Sequence, residues 1–166
     1  MKNAATKKTE PQTHSGEIGG LQAKSLRRYV DERGDFREIL RSTDEGFPGF
    51  AQASASIVYE GIAKAWHLHW KQTESMTVLW GIVKFAFADR RKDSPSFGVV
   101  KDFIVDSRNN PLLFTVPPGV AHGYRVILGP AVILYLANQI YDPSDQVKIP
   151  HDAADIGYAW APPVIG

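Results

Sequence analysis

The fold predicted by this sequence is all-β, a single-domain β-barrel of the double-sheet jelly-roll kind, and three observations carry it. Short apolar runs of strand length follow one another from Leu21 onward, separated by clusters rich in Gly, Pro, Asn and Asp. The runs are heavy in Val, Ile, Phe, Tyr and Trp and partly alternate, as in Val83-Lys84-Phe85-Ala86-Phe87. Very little reads as helix. Many short, closely spaced strands indicate a sandwich or barrel, and the jelly roll is the form that also encloses a pocket.

Taken in order, residues 1–20 are polar and poor in large apolar groups. They predict a flexible tail, because they cannot bury enough surface to offset the entropy of ordering. The barrel domain is expected over 21–166. Within it, 22–28 and 38–44 can be read as a helical turn or two. Strand-like runs occupy 50–59, 76–89, 98–105, 112–116, 123–128 and 131–141. DERGD, RRKDSPSFG, DSRNNP, PPG, LGP and DPSD supply the turns between them. Trp66, Trp70 and Trp80 are expected as barrel filling, and Arg90, Arg91 and Lys92 as a solvated turn.

The bulk numbers exclude several function classes. Nineteen basic and eighteen acidic side chains nearly cancel over 166 residues. That argues against nucleic acid or an anionic membrane as partner. No apolar run approaches the roughly 18 residues of a membrane span, and the N-terminus lacks the apolar stretch of a secretory signal. Cytoplasmic residence is expected. With no cysteine, stability owes nothing to disulfides.

Chemistry concentrates in GIAKAWHLHWKQTESMTVLWG, residues 61–81, where Gly61, His67, His69, Glu74 and Gly81 stand at fixed intervals. Further on, VPPGVAHGY contributes Pro117, Gly119 and His122. Two histidines one residue apart on a strand face the same way. Glu74, after a tight turn, is expected to return on the neighbouring strand, and His122 to arrive from another hairpin. Three nitrogens and one oxygen make a cage suited to Zn, Fe, Mn or Ni. Three of the five histidines fall in this set, which favours a shared site over unrelated structural roles. These spacings are the two motifs of the cupins, and the chain resembles that superfamily.

It also resembles a narrower family, the dTDP-4-dehydrorhamnose 3,5-epimerases. The matching stretches are DERGDFRE, FAQASASIVYEGIAKAWH, FAFADRRKDSPSFG, VPPGVAHGY, LYLANQIYDPSD and DAADIGYAW. That resemblance implies a dimeric jelly-roll barrel that needs no metal and inverts carbons beside the ketone of a nucleotide-linked 4-keto-6-deoxy sugar. It implies that His67 is the base and Tyr135 the proton donor, with His122 near the sugar oxygens. Arg33, Phe36 and Glu38 then match substrate-contacting positions that reach across the dimer. Gln52 and Lys64 match positions near the sugar or its diphosphate.

The chain departs from the family at named places. Glu74 replaces a Lys that helps neutralise the enolate oxygen, Lys64 replaces an Arg, and Ser54 an Asn. The Asp that orients the family's base has no counterpart after Trp160, which implies a weaker base. His69 and Glu74 restore the metal-binding set where the epimerase pattern is lost. Two further readings therefore stand beside the epimerase. One is a metal-dependent cupin enzyme (an isomerase, ketoisomerase or dioxygenase) using His67, His69, Glu74 and His122. The other is a non-catalytic nucleotide-sugar-binding cupin. A His67 nitrogen holding a metal could not also take the substrate's proton.

Overall fold

The computed structural model describes residues 18–161, and the tail expected at 1–20 lies outside it up to residue 17. Ten strands make up the described chain: β1 (Gln22–Ser25), β2 (Arg28–Asp31), β3 (Gly34–Arg37), β4 (Gln52–Val58), β5 (Ala63–His69), β6 (Glu74–Asp89), β7 (Val100–Asp106), β8 (Leu112–Val116), β9 (Val120–Ala137) and β10 (Gln146–Lys148). No helix occurs among the described residues, so none is long and apolar enough to cross a membrane.

Two strands, β6 and β9, are long enough to serve both walls of the barrel. The first half of β6 pairs with β8 and with the second half of β9. With β1 beyond β8 and β4 beyond β9, this makes one wall in the order β1-β8-β6-β9-β4. The second half of β6 pairs with β7 and with the first half of β9. With β5 and β10 added, the other wall runs β7-β6-β9-β5-β10. This is the double-sheet jelly roll that the strand pattern predicts. Strands change sheets where register slips, between Val78 and Val83 of β6. Gly81 sits at that bend with φ +97°, and a Cβ there would meet the Leu128 carbonyl oxygen at 2.7 Å. Only glycine fits.

The alternation in β6 sorts side chains between two cores. Val83, Phe85 and Phe87 point between the walls and pack with Phe114, Met76, Val105 and Ile133. Ala86 and Ala88 point to the outer face of the β5 wall. There they meet Trp66, Leu68 and Ala121 beneath the C-terminal segment carrying Ile156 and Trp160. Trp66 lies 4.8 Å from Trp160 between ring centroids.

Several expectations are corrected here. The stretch 22–25 is strand β1, paired with β8, rather than helix. The stretch 38–44 is turn and coil, stopped when the Asp44 carboxylate takes the Arg41 amide at 2.9 Å and the chain passes into Gly46. Of the three tryptophans, Trp66 is buried outside the barrel, while Trp70 and Trp80 are 52% and 51% exposed. Arg108 lies over the Trp80 ring. Ile18 is fully buried in the main core, so packing begins before Leu21. Arg91 is no solvated turn residue: its guanidinium chelates the buried Asp89 and reaches the Gly19 carbonyl.

Candidate active site

The large aromatics of the main core leave one end of the barrel open, and a cavity of about 290 Å³ fills that end. Its lining can be read strand by strand. On β4, inward positions alternate as Gln52, Ser54 and Ser56. On β5, Lys64 pairs with Tyr124 of β9 while His67 pairs with His122, three steps on one strand against two on the other. This bulge shifts the pleat by one, so Lys64, His67 and His69 all line the cavity while Trp66 and Leu68 face the outer core. Gly123 lets β5 and β9 come this close, since a Cβ there would stand 2.6 Å from that of Ala65.

The two walls contribute different chemistry. The β5 wall supplies His67, His69 and His122, and the opposite wall supplies Tyr135 from β9 and Glu74 from β6. Glu74 thus reaches the histidines across the barrel, not from the strand neighbouring β5 as its spacing predicts. β5 and β6 share no ladder: the four residues between His69 and Glu74 carry the chain over the barrel end.

His67 is half-buried, with Nδ1 3.1 Å from the side-chain amide of Gln146 on β10. Tyr141 Oη sits 3.2 Å from the other end of that amide. Turning the amide by 180° keeps both contacts, because its oxygen and nitrogen are sterically equivalent. With the oxygen towards Nδ1, the ring is held as the Nδ1–H tautomer with a free Nε2 lone pair. Burial, then the neighbouring His122, lower the His67 pKa against the pull of Glu74, so the ring is neutral at pH 7. Burial and His122 lower His69 likewise, opposed by Glu74 and Asp145.

Glu74 Oε2 lies 3.0 Å from His122 Nε2. Burial alone would raise the carboxyl's pKa, but the His122 hydrogen bond and the three imidazoles outweigh it and the net shift is downward. His122 turns its Nδ1 towards the Val120 carbonyl at 3.4 Å. The ligand atoms of His69, Glu74 and His122 lie within 4.8 Å of one another, and His67 stands outside that group.

Across the cavity, the Tyr135 hydroxyl is 2.7 Å from that of Tyr124 and 3.0 Å from Ser56 Oγ. Burial, with Tyr124 and Glu74 adding to it and Ser56 opposing, pushes its pKa far above the ordinary phenol range. Tyr135 is therefore a neutral O–H donor at the end of a hydroxyl chain.

Seven expected residues meet at the cavity: Gln52, Lys64, His67, His69, Glu74, His122 and Tyr135. Arg33, Phe36 and Glu38 do not. They lie on or just after the β2–β3 hairpin, a separate two-stranded sheet, where Arg33 pairs with Asp31 and Glu38 with Arg41. Phe36 is 64% exposed, with the Tyr29 ring centroid 6.4 Å from its own. Sequence reasoning missed Ser56, Tyr124, Tyr141, Gln146 and Asp145. Tyr124 could have been found, since it stands two residues after His122 on the same strand face. Gln146 and Asp145 gave no local signal.

The sequence matches the dTDP-4-dehydrorhamnose 3,5-epimerase family over residues 15–166. It is 38% identical over 147 residues to the spore coat polysaccharide biosynthesis protein SpsL of Bacillus subtilis, covering 86% of this chain and 96% of that one. Among solved structures, a dTDP sugar isomerase from Desulfovibrio desulfuricans superimposes with a TM-score of 0.81 at 25% identity, over 87% of this chain and 92% of its own. The Legionella pneumophila dTDP-6-deoxy-D-glucose-3,5-epimerase, solved with dTDP-4-keto-L-rhamnose, gives a TM-score of 0.80 at 26% identity, covering 91% and 84%.

Proposed function

Because the chain belongs to the dTDP-4-dehydrorhamnose 3,5-epimerase family, we propose that it is an isomerase that epimerises a nucleotide-linked 4-keto-6-deoxy sugar, with His67 as base and Tyr135 as acid. The observation that carries this reading is that His67 and Tyr135 come from opposite walls of one cavity. Inversion needs that: a proton leaves one face of the carbon and another arrives on the opposite face.

The steps follow from the groups present. The His67 Nε2 lone pair takes the proton from the carbon beside the ketone, and the C–H electron pair moves into an enolate. The neutral Tyr135 O–H then delivers a proton to the other face and is recharged through Tyr124 and Ser56. His67 returns its proton to solvent. Gln146 and Tyr141 fix the imidazole in place of a carboxylate, which orients the base without raising its basicity as an Asp would. Neither proton transfer calls for a cofactor.

The cavity is at the small end of ligand sites, which run from roughly 300 to 1,000 Å³. It suits a sugar ring better than a sugar with its nucleoside diphosphate. The nucleotide then lies over the rim, near Lys64 and Gln52. Arg33, Phe36 and Glu38 are not among the residues lining their own chain's cavity, which supports a homodimer in which each hairpin reaches over its partner's rim. A cytoplasmic setting goes with a nucleotide-activated substrate.

The test is solvent exchange. In D₂O, a dTDP-4-keto-6-deoxy sugar should gain deuterium beside the ketone with the wild-type chain and none with His67→Asn. Tyr135→Phe should exchange but fail to complete inversion. Absence of wild-type exchange despite binding of the sugar would leave a binding protein instead of an enzyme.

A further inference from the structure

Glu74 is the one carboxylate and Lys64 the one obligate cation among the described residues lining the cavity. Glu74 is set against histidines and does not pair with Lys64. We propose that His69, Glu74 and His122 form a binding site for one divalent transition-metal cation and that His67 stays outside it. The site itself is independent of the epimerase reading.

Orientation is the first argument. His69 Nδ1 faces Asp145 Oδ2 at 3.6 Å, and His122 Nδ1 faces the Val120 carbonyl at 3.4 Å. An oxygen behind each Nδ1 favours the tautomer whose Nε2 lone pair points forward. This is how proteins hold imidazoles that coordinate a metal. His122 Nε2 faces Glu74 Oε2 at 3.0 Å, a contact that needs either a proton on Nε2 or a cation between the two.

A proton could supply that charge for His122 and Glu74, but it leaves His69 with nothing to bind. His69 is 7% exposed, and it is its Nε2, not the buried Nδ1 beside Asp145, that a cation in the cavity would take. A cation satisfies all three groups at once. Ligand atoms within 4.8 Å of one another need close by about an ångström to surround an ion at roughly 2.0–2.2 Å. Two imidazoles and a carboxylate select Zn, Mn, Fe, Co or Ni over Mg or Ca, which take oxygen ligands.

His67 is excluded by position, since its ring nitrogens are not part of the converging group. The competition between metal ligand and proton acceptor at His67 therefore does not arise. If the epimerase reading holds, the cation's open positions face the same cavity as the base and restore positive charge at the wall where Glu74 has placed a negative one.

Cobalt titration of the chelator-stripped, untagged chain without substrate tests the site. The wild-type chain should take up one Co(II), with visible d–d bands that Zn(II) abolishes, and calorimetry should give one ion per chain. His69→Asn and Glu74→Gln should each weaken uptake by about 100-fold or more, beyond what loss of a supporting partner costs. His67→Asn should leave it within a few-fold. Wild-type protein without bands or calorimetric uptake overturns the proposal, and that measurement needs no variant. So does equal binding by folded His69→Asn and Glu74→Gln, which would mark adventitious metal. Loss of binding in His67→Asn would overturn the three-ligand set. Deuterium exchange without metal uptake would sink this site and leave the epimerase standing.

Discussion

Asp145 joins the C-terminal end of the chain to the segment that carries two site residues, and removing it should loosen both. Its carboxylate accepts the backbone amides of Trp70 and Lys71 at 3.0 Å each through Oδ1 and that of Gln72 at 3.1 Å through Oδ2. The cradled residues link His69 to Glu74. In Asp145→Ala, Trp70 and Lys71 are exposed, so their amides can turn to water and each loses only the net value of a hydrogen bond, about 0.5–1.5 kcal/mol. Gln72 is buried, and its stranded amide costs a further 1–3 kcal/mol or so. The whole comes to roughly 2–6 kcal/mol. Asp145→Asn keeps an oxygen for Trp70 and Lys71 but turns an NH₂ against the Gln72 amide, so it should cost about 1–3 kcal/mol. Urea unfolding followed by tryptophan fluorescence measures both. With a slope near 2 kcal/mol/M, the alanine variant should shift the midpoint by about 1–3 M. An alanine variant within 0.5 kcal/mol or so of wild type would refute the cradle. Equal losses in the two variants would refute the division between exposed and buried amides.

Other outcomes follow from the same geometry. Gly123→Ala drives a Cβ to 2.6 Å from Ala65 and should cost about 1–3 kcal/mol. By pushing Lys64 and His67 out of line it should also cost about 100-fold in kcat, read by thermal melting and turnover. Tyr124→Phe removes the 2.7 Å partner of Tyr135; inversion should slow by roughly 10-fold while deuterium exchange continues, because only the acid's chain is broken. Asp89 accepts hydrogen bonds from Arg91, Ser94 and Ser96. Its burial is outweighed by those bonds, and its folded-state pKa lies well below the ordinary 3.8. Its stabilisation is thus whole above about pH 4 and fades as pH falls towards the folded-state value, a slope that Asp89→Asn should flatten in acid unfolding. Mixing inactive Arg33→Ala with inactive His67→Asn should restore about a quarter to a half of activity if hairpins cross between subunits. No recovery on subunit exchange would remove the shared rim.

Local rules made the architecture legible. Period-two patterning at Val83–Phe87 set which side chains enter the barrel, and most glycine and proline clusters set where strands end, although β9 runs through the expected turn at Leu128-Gly129-Pro130. The histidine pair of β5 was legible for the same reason: residues two apart on a strand share a face. The helical readings at 22–28 and 38–44 failed because weak local preference yielded to pairing with β8 in one case and to the Asp44 turn in the other.

What the chain alone determined, then, is the all-β jelly-roll class and the set of groups able to meet: His67, His69, Glu74, His122 and Tyr135. Only tertiary structure decided how they divide. The bulge between Lys64 and His67 put residues of opposite parity on one face, and the bend at Gly81 carried β6 from wall to wall so that Glu74 meets His122 from across the barrel. The pairing of β10 with β5 brought Gln146 to His67, 79 residues away in sequence, while His67 stands outside the His69–Glu74–His122 group. Such contacts depend on register between distant strands, and register is a property of the whole folded sheet that no short stretch of sequence encodes.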